Sequence, residues 1–235
     1  MNLLHSPRGG RIIKGFLVAL SALNLAHAAD PVAVPSGTLT IDNSFVRVGV
    51  KSQLGWNITY PTNAKNLITK DDDGTCTPKV KVRMQVRVLA AAFSNNTTYW
   101  TVKGYVKVGS TSTNIFTGTQ QNVNASTVVY DKIVAAGSVI NVNAATTTDG
   151  YTCSTSAKDK SVVALFDGES LPAYQRTAYP NMQLNVLDYI ANYMNPNNTA
   201  KIGENQVIFL GDFNGFGNTG YDLNDYVLLV TFTAA

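Results

Sequence analysis

The chain has 235 residues, of which 14% are charged, and its formal net charge is +3. Its only histidines are His5 and His27, so a chain cleaved after residue 28 would have no Ser-His-Asp or Cys-His machinery and no imidazole for zinc. Paired carboxylates such as Asp167 and Glu169 remain as a less favoured route to a hydrolase. We therefore expect a protein that is not an enzyme.

Residues 1–28 have the pattern of a secretory signal peptide. Three basic residues, Arg8, Arg11 and Lys14, precede a short apolar run, and Ala26-His27-Ala28 fits the cleavage rule. A membrane anchor is the alternative, but the apolar run is short for a span. Cleavage would leave 207 residues with 15 basic and 15 acidic side chains. We expect a secreted protein, extracellular or on the cell surface, without a membrane anchor.

After a Pro-containing lead-in over 29–37, which we expect to be extended and mobile, alternation predicts short strands at 38–42, 45–51 and 56–60. An acidic turn follows at 70–75. It is interpreted as a solvated loop, with cation binding as the alternative.

The longest alternation covers residues 78–89 and predicts a strand with one apolar and one basic face. A turn at Asn95–Thr98 and a second alternating run at 100–108 predict its hairpin partner. The hairpin would place six basic residues on one surface: Lys79, Lys81, Arg83, Arg87, Lys103 and Lys107. This surface is either a solvated face that deters edge pairing or a site for an anionic polysaccharide. Trp56, Trp100 and Tyr105 are candidates for stacking on a glycan, and nucleic acid is not an expected partner.

Further strands are predicted at 126–133, 138–142, 161–166, 206–210 and 226–232. A polar loop is expected over 144–155. Residues 181–194 change to a helical period, and Asn195-Pro196 stops it. These elements predict an all-β fold, a single β-sandwich or jelly roll over 38–235 with one short helix near 181–194.

The two cysteines, Cys76 and Cys153, lie in Thr-rich surroundings. In an exported chain such a pair predicts one disulfide. It would close a loop of 77 residues and contribute about 4 kcal/mol. Two free thiols are the alternative.

Residues 212–225 combine three glycines with a cluster of oxygen-bearing side chains. The candidate ligands for calcium are Asp212, Asn214, Asp222, Asn224 and Asp225. No lysine or arginine lies between residues 206 and 235 to offset the carboxylates. An EF-hand loop is not present in full, so such a site would draw on two loops. The alternative is an Asx-rich turn whose side chains cap their own backbone.

The run Asp222-Leu223-Asn224-Asp225-Tyr226-Val227 resembles the last strand of bacterial secreted and surface β-sandwich domains of the calcium-linked exoprotein type. The similarity covers about 30 of the 235 residues. It implies an extracellular β-sandwich with bound calcium.

The leading hypothesis is a non-enzymatic secreted bacterial surface or biofilm-matrix protein, a self-associating filament subunit stabilised by calcium. Strand donation by the lead-in, with apolar contacts from Val32, Val34, Leu39 and Ile41, would join the subunits. A soluble lectin-like module for an anionic glycan is the alternative.

Overall fold

The structure is a computed structural model, and it describes residues 36–41, 54–59, 63–147 and 149–235. The predicted signal peptide, nearly all of the predicted lead-in and the strand predicted at 45–51 lie outside these residues. The described residues form two short α-helices, α1 (Ala64–Leu67) and α2 (Val186–Tyr189). They also form thirteen strands, which are, in chain order, β1 Ser36–Ile41, β2 Leu54–Thr59, β3 Ile68–Lys70, β4 Cys76–Pro78, β5 Val82–Ala90, β6 Val102–Val108, β7 Thr111–Gly118, β8 Val128–Val134, β9 Ile140–Thr146, β10 Thr152–Ser154, β11 Val162–Phe166, β12 Gln206–Gly211 and β13 Tyr226–Ala234.

Eleven of these strands form two antiparallel sheets. One sheet has five strands in the order β11-β12-β13-β5-β8. The other has six, with β3-β4-β9-β6-β7 in order and β10 also paired with β9. The remaining two strands, β1 and β2, pair only with each other in the described residues. The expectation of an all-β sandwich is confirmed.

The main core lies between the two sheets and follows from the alternation of apolar residues. On β5 the buried side chains of Val82, Met84 and Val86 alternate with Arg83, Gln85 and Arg87, which are exposed or half-buried. Residues Val102 and Val106 of β6 belong to the same buried cluster. Each sheet thus contributes one apolar face, as the sequence predicted for these strands.

Both faces of β12 and β13 are buried. Phe209 and Leu228 belong to the core between the sheets. Their strand neighbours Ile208 and Leu229 belong to a second apolar cluster, which also contains Val186 of α2. The segment around α2 therefore covers the outside of the five-stranded sheet, and double burial explains why these two strands are continuously apolar.

The helix predicted over 181–194 is much shorter. Only α2 is helical, and a single 3₁₀ turn follows at Ala191–Tyr193. At the start of α2, Asp188 Oδ2 accepts a hydrogen bond at 3.1 Å from the backbone N–H of the capping residue, Asn185. Asparagine favours caps and turns over helix interiors, so this Asn-rich segment forms successive turns that share the spacing of a helix.

Two further strand predictions needed correction. The loop expected over 144–155 is partly sheet, because β9 extends to Thr146 and β10 pairs with it. Strand β7 was not predicted, because its polar sequence has only Ile115 as a buried large apolar residue.

Neither α-helix in the described ranges is long and apolar enough to cross a bilayer.

Candidate metal centre

The loop that joins β12 to β13, residues 212–225, holds the acidic cluster. Gly211 pairs with Tyr226, so Asp212 and Asp225 leave the sheet side by side. Three glycines of the loop, among them Gly215 at φ 75°, adopt a left-handed conformation that glycine accepts without strain. The loop can therefore fold back and bring Asp222 to the other two carboxylates.

Asp212 shapes the loop. Its Oδ1 accepts hydrogen bonds from the backbone N–H groups of Asn214 at 2.8 Å and Gly215 at 3.1 Å. Its Oδ2 accepts from Asp222 at 2.7 Å and Leu223 at 3.1 Å. A carboxylate offers about four acceptor sites, so these four bonds use the capacity of Asp212 and leave little for a cation.

Asp222, Asn224 and Asp225 retain acceptor capacity. Asp225 Oδ2 accepts from the backbone of Phe213 at 2.8 Å. The Asn224 amide donates to Leu184 O at 3.0 Å, but its Oδ1 is buried and has no hydrogen-bond partner in the part of the chain that the structure describes. One carboxylate oxygen each of Asp212, Asp222 and Asp225 lie within 4.8 Å of one another. These three residues and Asn224 are at most 4% exposed.

Burial raises the pKa of all three carboxyl groups. The pKa of Asp222 rises to about 7, first through burial and then through repulsion by Asp212. Burial, with repulsion from Asp212 and Asp222, raises the pKa of Asp225 well above its ordinary value. The pKa of Asp212 is raised by burial against the opposing effect of its backbone hydrogen bonds. A bound cation or bound protons must therefore offset the charge of this cluster.

Four of the five predicted ligands thus lie together. Asn214 has a different role, because its amide donates to Gly220 O at 3.0 Å and its carbonyl accepts from Asn218 at 2.6 Å. These two hydrogen bonds connect Asn214 to Gly220 and Asn218 within the loop. Asx-type capping, the alternative predicted from the sequence, is therefore present at Asp212 and, with a longer contact of 3.5 Å from Asn224 N, at Asp222.

A cavity of about 190 Å³ lies beside the cluster. Asp222 and Asp225 line it together with the aromatic residues Phe93, Trp100 and Tyr151. Ser94, which is 4% exposed, also lines it, and its hydroxyl has no hydrogen-bond partner among the described residues. We call this space the acidic–aromatic cavity. Sequence reasoning proposed Trp100 as a glycan contact but not this grouping, because the aromatic residues come from loops distant in the chain.

The six basic residues do not form one surface. The predicted hairpin is wrong, because β5 pairs with β13 and β8 whereas β6 pairs with β7 and β9. The apolar faces of both strands point into the core, so Arg83 and Arg87 lie on the outside of one sheet and Lys103 and Lys107 on the outside of the other. Arg83 also forms an ion pair with Asp131 at 2.6 Å. Lys79 and Lys81 precede β5, and the Lys79 ammonium donates to Lys65 O at 2.8 Å.

The predicted disulfide is not formed, and Cys76 and Cys153 are buried free thiols. Cys76 lies opposite Ile140 and Cys153 opposite Ala144 along the same edge of β9, since β6 occupies the other edge. Four residues of strand separate them by about 14 Å. A disulfide requires Cα atoms within about 7 Å.

The carboxylates considered for hydrolysis serve a turn instead. Asp167 Oδ1 accepts from the backbone of Ile202 at 3.0 Å. Glu169 Oε2 accepts from Phe166 N at 2.9 Å and from the Lys70 ammonium at 2.5 Å. Both side chains are committed to structural contacts.

The acidic turn at 70–75 joins β3 to β4, and Asp73 Oδ1 accepts from Thr75 N at 2.9 Å. This contact is that of a local Asx turn.

Comparison of the chain with protein-family models, with curated proteins and with solved structures finds no match.

Proposed function

We propose that this protein is a non-enzymatic, secreted surface or matrix protein whose fold is stabilised by calcium in the loop 212–225. The observation that carries the proposal is the group of three buried carboxylates within 4.8 Å of one another. Buried carboxylates that lack a compensating charge are costly, and a divalent cation removes that cost.

The ligand chemistry favours calcium. The cluster offers only oxygen atoms, which suit hard cations, and the irregular loop imposes no octahedral geometry of the kind that magnesium demands. Asp222, Asp225 and the unpartnered Asn224 Oδ1 would supply the protein ligands, while Asp212 contributes negative charge and holds the loop. Calcium affinities of extracellular modules are about 10⁻⁴–10⁻³ M, a range suited to a protein outside the cell.

Bound calcium would fix the loop that sets the register of β12 and β13. We expect millimolar calcium to raise the Tm by a few degrees relative to the protein in chelator, because a ligand that binds only the folded state stabilises it. Asp225→Asn should abolish this increase. Thermal unfolding followed by circular dichroism, with and without calcium, measures both effects.

The matched control is Asp72→Asn, because Asp72 is an exposed acidic residue of another loop. This variant should keep the full calcium response. A wild-type Tm that does not change between calcium and chelator would refute the proposal.

Self-association is a further part of this proposal, and the edge strand β8 supports it. In the described residues β8 pairs with β5 only, and its Val128 and Ile133 are 44% and 57% exposed. Strand β1 is already paired with β2, so Leu39 and Ile41 are not free to be donated. Addition of the 29–35 segment of a second copy along β8 is the remaining form of strand donation.

Sedimentation velocity tests this route. Ile133→Lys or deletion of residues 29–35 should reduce the oligomers, because each removes one side of the strand pairing. Val139→Lys, at a residue that is 45% exposed outside the strands, should not. A wild-type protein that sediments only as monomer would contradict the proposal.

A further inference from the structure

We infer that the acidic–aromatic cavity binds one neutral sugar residue, whose adjacent hydroxyl groups coordinate the cation held by Asp222 and Asp225. This inference rests on the calcium site of the proposed function. Paired hydroxyls are suitable ligands because calcium takes six to eight oxygen atoms, more than the side chains of Asp222, Asn224 and Asp225 provide.

The cavity contains an unsatisfied polar atom. Ser94 Oγ is buried, lines the cavity and has no hydrogen-bond partner within the described ranges. The neighbouring polar side chain of Gln183 has partners at both polar atoms, since it donates to Ala92 O at 2.6 Å and accepts from the Thr177 hydroxyl. Buried polar groups are almost always paired, so Ser94 is suited to receive a hydroxyl group from a ligand.

Aromatic side chains that line the cavity also favour a sugar ligand. Trp100 and Tyr151 lie with ring centroids 6.2 Å apart and an angle of 34° between their planes. Phe93 packs edge-on against Trp100, with centroids 4.9 Å apart, and so fixes that ring. Tyr151 remains 39% exposed. Rigid aromatic faces of this kind pack against the C–H face of a sugar while its hydroxyls reach the polar floor.

The charge of the lining residues and the volume of the cavity limit the class of ligand that the cavity can bind. Of the described residues, those that line the cavity include Asp222 and Asp225 but no lysine or arginine. An anionic sugar would find no partner there apart from the cation, and it would be repelled by the carboxylates. The volume of about 190 Å³ is below the range typical of drug-sized ligands and suits a single sugar residue.

The experiment combines a glycan array with calcium titration. Fluorescently labelled full-length protein is applied to printed neutral and acidic glycans in millimolar calcium and again in EGTA. We expect binding to one or more neutral glycans in calcium and its loss in EGTA. Tyr151→Ala should weaken that binding about tenfold or more while keeping the calcium-dependent Tm increase. Tyr105→Ala, an aromatic residue on the outer face of β6, should leave binding unchanged.

The outcomes separate this inference from the proposal on which it rests. Absence of neutral-glycan binding by a protein that calcium does stabilise overturns the inference alone. Absence of any calcium effect overturns both. Three other results would overturn sugar binding through a bridging calcium ion. They are binding that persists in EGTA, binding confined to acidic glycans, and a Tm increase when tetramethylammonium replaces calcium.

Discussion

At the scale of single residues, the environment of Asp222 and Asp225 reverses the usual effect of pH on a carboxyl group. Their pKa values are raised on folding, to about 7 for Asp222. The unfolded value is about 3.9. Between these pH values the folded state binds more protons than the unfolded state, so the free energy of unfolding falls as pH rises.

We therefore expect the calcium-free protein to be more stable at pH 5 than at pH 8. Urea unfolding in the presence of EGTA at the two pH values measures the difference. Asp222→Asn should reduce the difference, since the variant removes one of the titrating groups. A chelated wild-type protein that gains stability from pH 5 to pH 8 would show that the carboxylates are stabilised in their charged form.

At the scale of elements, β6 and β13 approach each other closely across the core. A Cβ added at Gly104 of β6 would lie 1.9 Å from the Tyr226 hydroxyl oxygen, so only glycine fits there. That hydroxyl is buried and has no hydrogen-bond partner among the residues that the structure describes. Tyr226 thus fills the space between the sheets with its ring, while its polar atom is left unsatisfied.

We expect Tyr226→Phe to stabilise the protein by about 1 kcal/mol, because it removes an unpaired buried hydroxyl and keeps the ring. Tyr221→Phe is the matched control, since the Tyr221 hydroxyl donates to Lys160 O at 3.0 Å. That variant should lose about 1 kcal/mol. Equilibrium urea unfolding measures both changes, and a destabilised Tyr226→Phe variant would indicate a partner for this hydroxyl.

The alternation in residues 78–89 identified the buried face of β5, because a strand with one solvated face leaves that pattern in the sequence. The partner of β5 could not be predicted in the same way. Val88 pairs with Leu228, and no local pattern records a pairing between residues so far apart in the chain. The sequence therefore favours a hairpin between the two neighbouring alternating segments, whereas in the structure each pairs with strands that are distant in the chain.

The same distinction applies to the candidate site. The acidic loop could be predicted because its glycines and carboxylates lie within fourteen consecutive positions. The cavity beside it could not, since Ser94 and Tyr151 reach Asp225 only through the arrangement of the two sheets.

At the scale of the whole molecule, the two thiols report on the integrity of the sandwich. Burial raises the pKa of Cys76 to about 12 and that of Cys153 well above its ordinary value. The thiolate is the reactive form, so both residues should resist alkylation at neutral pH while the sheets stay together.

We expect intact-mass analysis after iodoacetamide treatment to show no added groups on the folded protein. Two groups should appear in guanidinium without reductant. If no group is added in guanidinium unless a reductant is present, the cysteines are joined and the arrangement of β4, β9 and β10 needs revision.

The pairing of β13 with β5 has a consequence for biosynthesis. Strand β13 lies at the centre of the five-stranded sheet, between β12 and β5. While a ribosome is still making residues 226–234, the core on both sides of that sheet cannot close, and contacts of such high contact order form slowly. We therefore expect the nascent chain to stay unfolded until residues 226–234 have been synthesised.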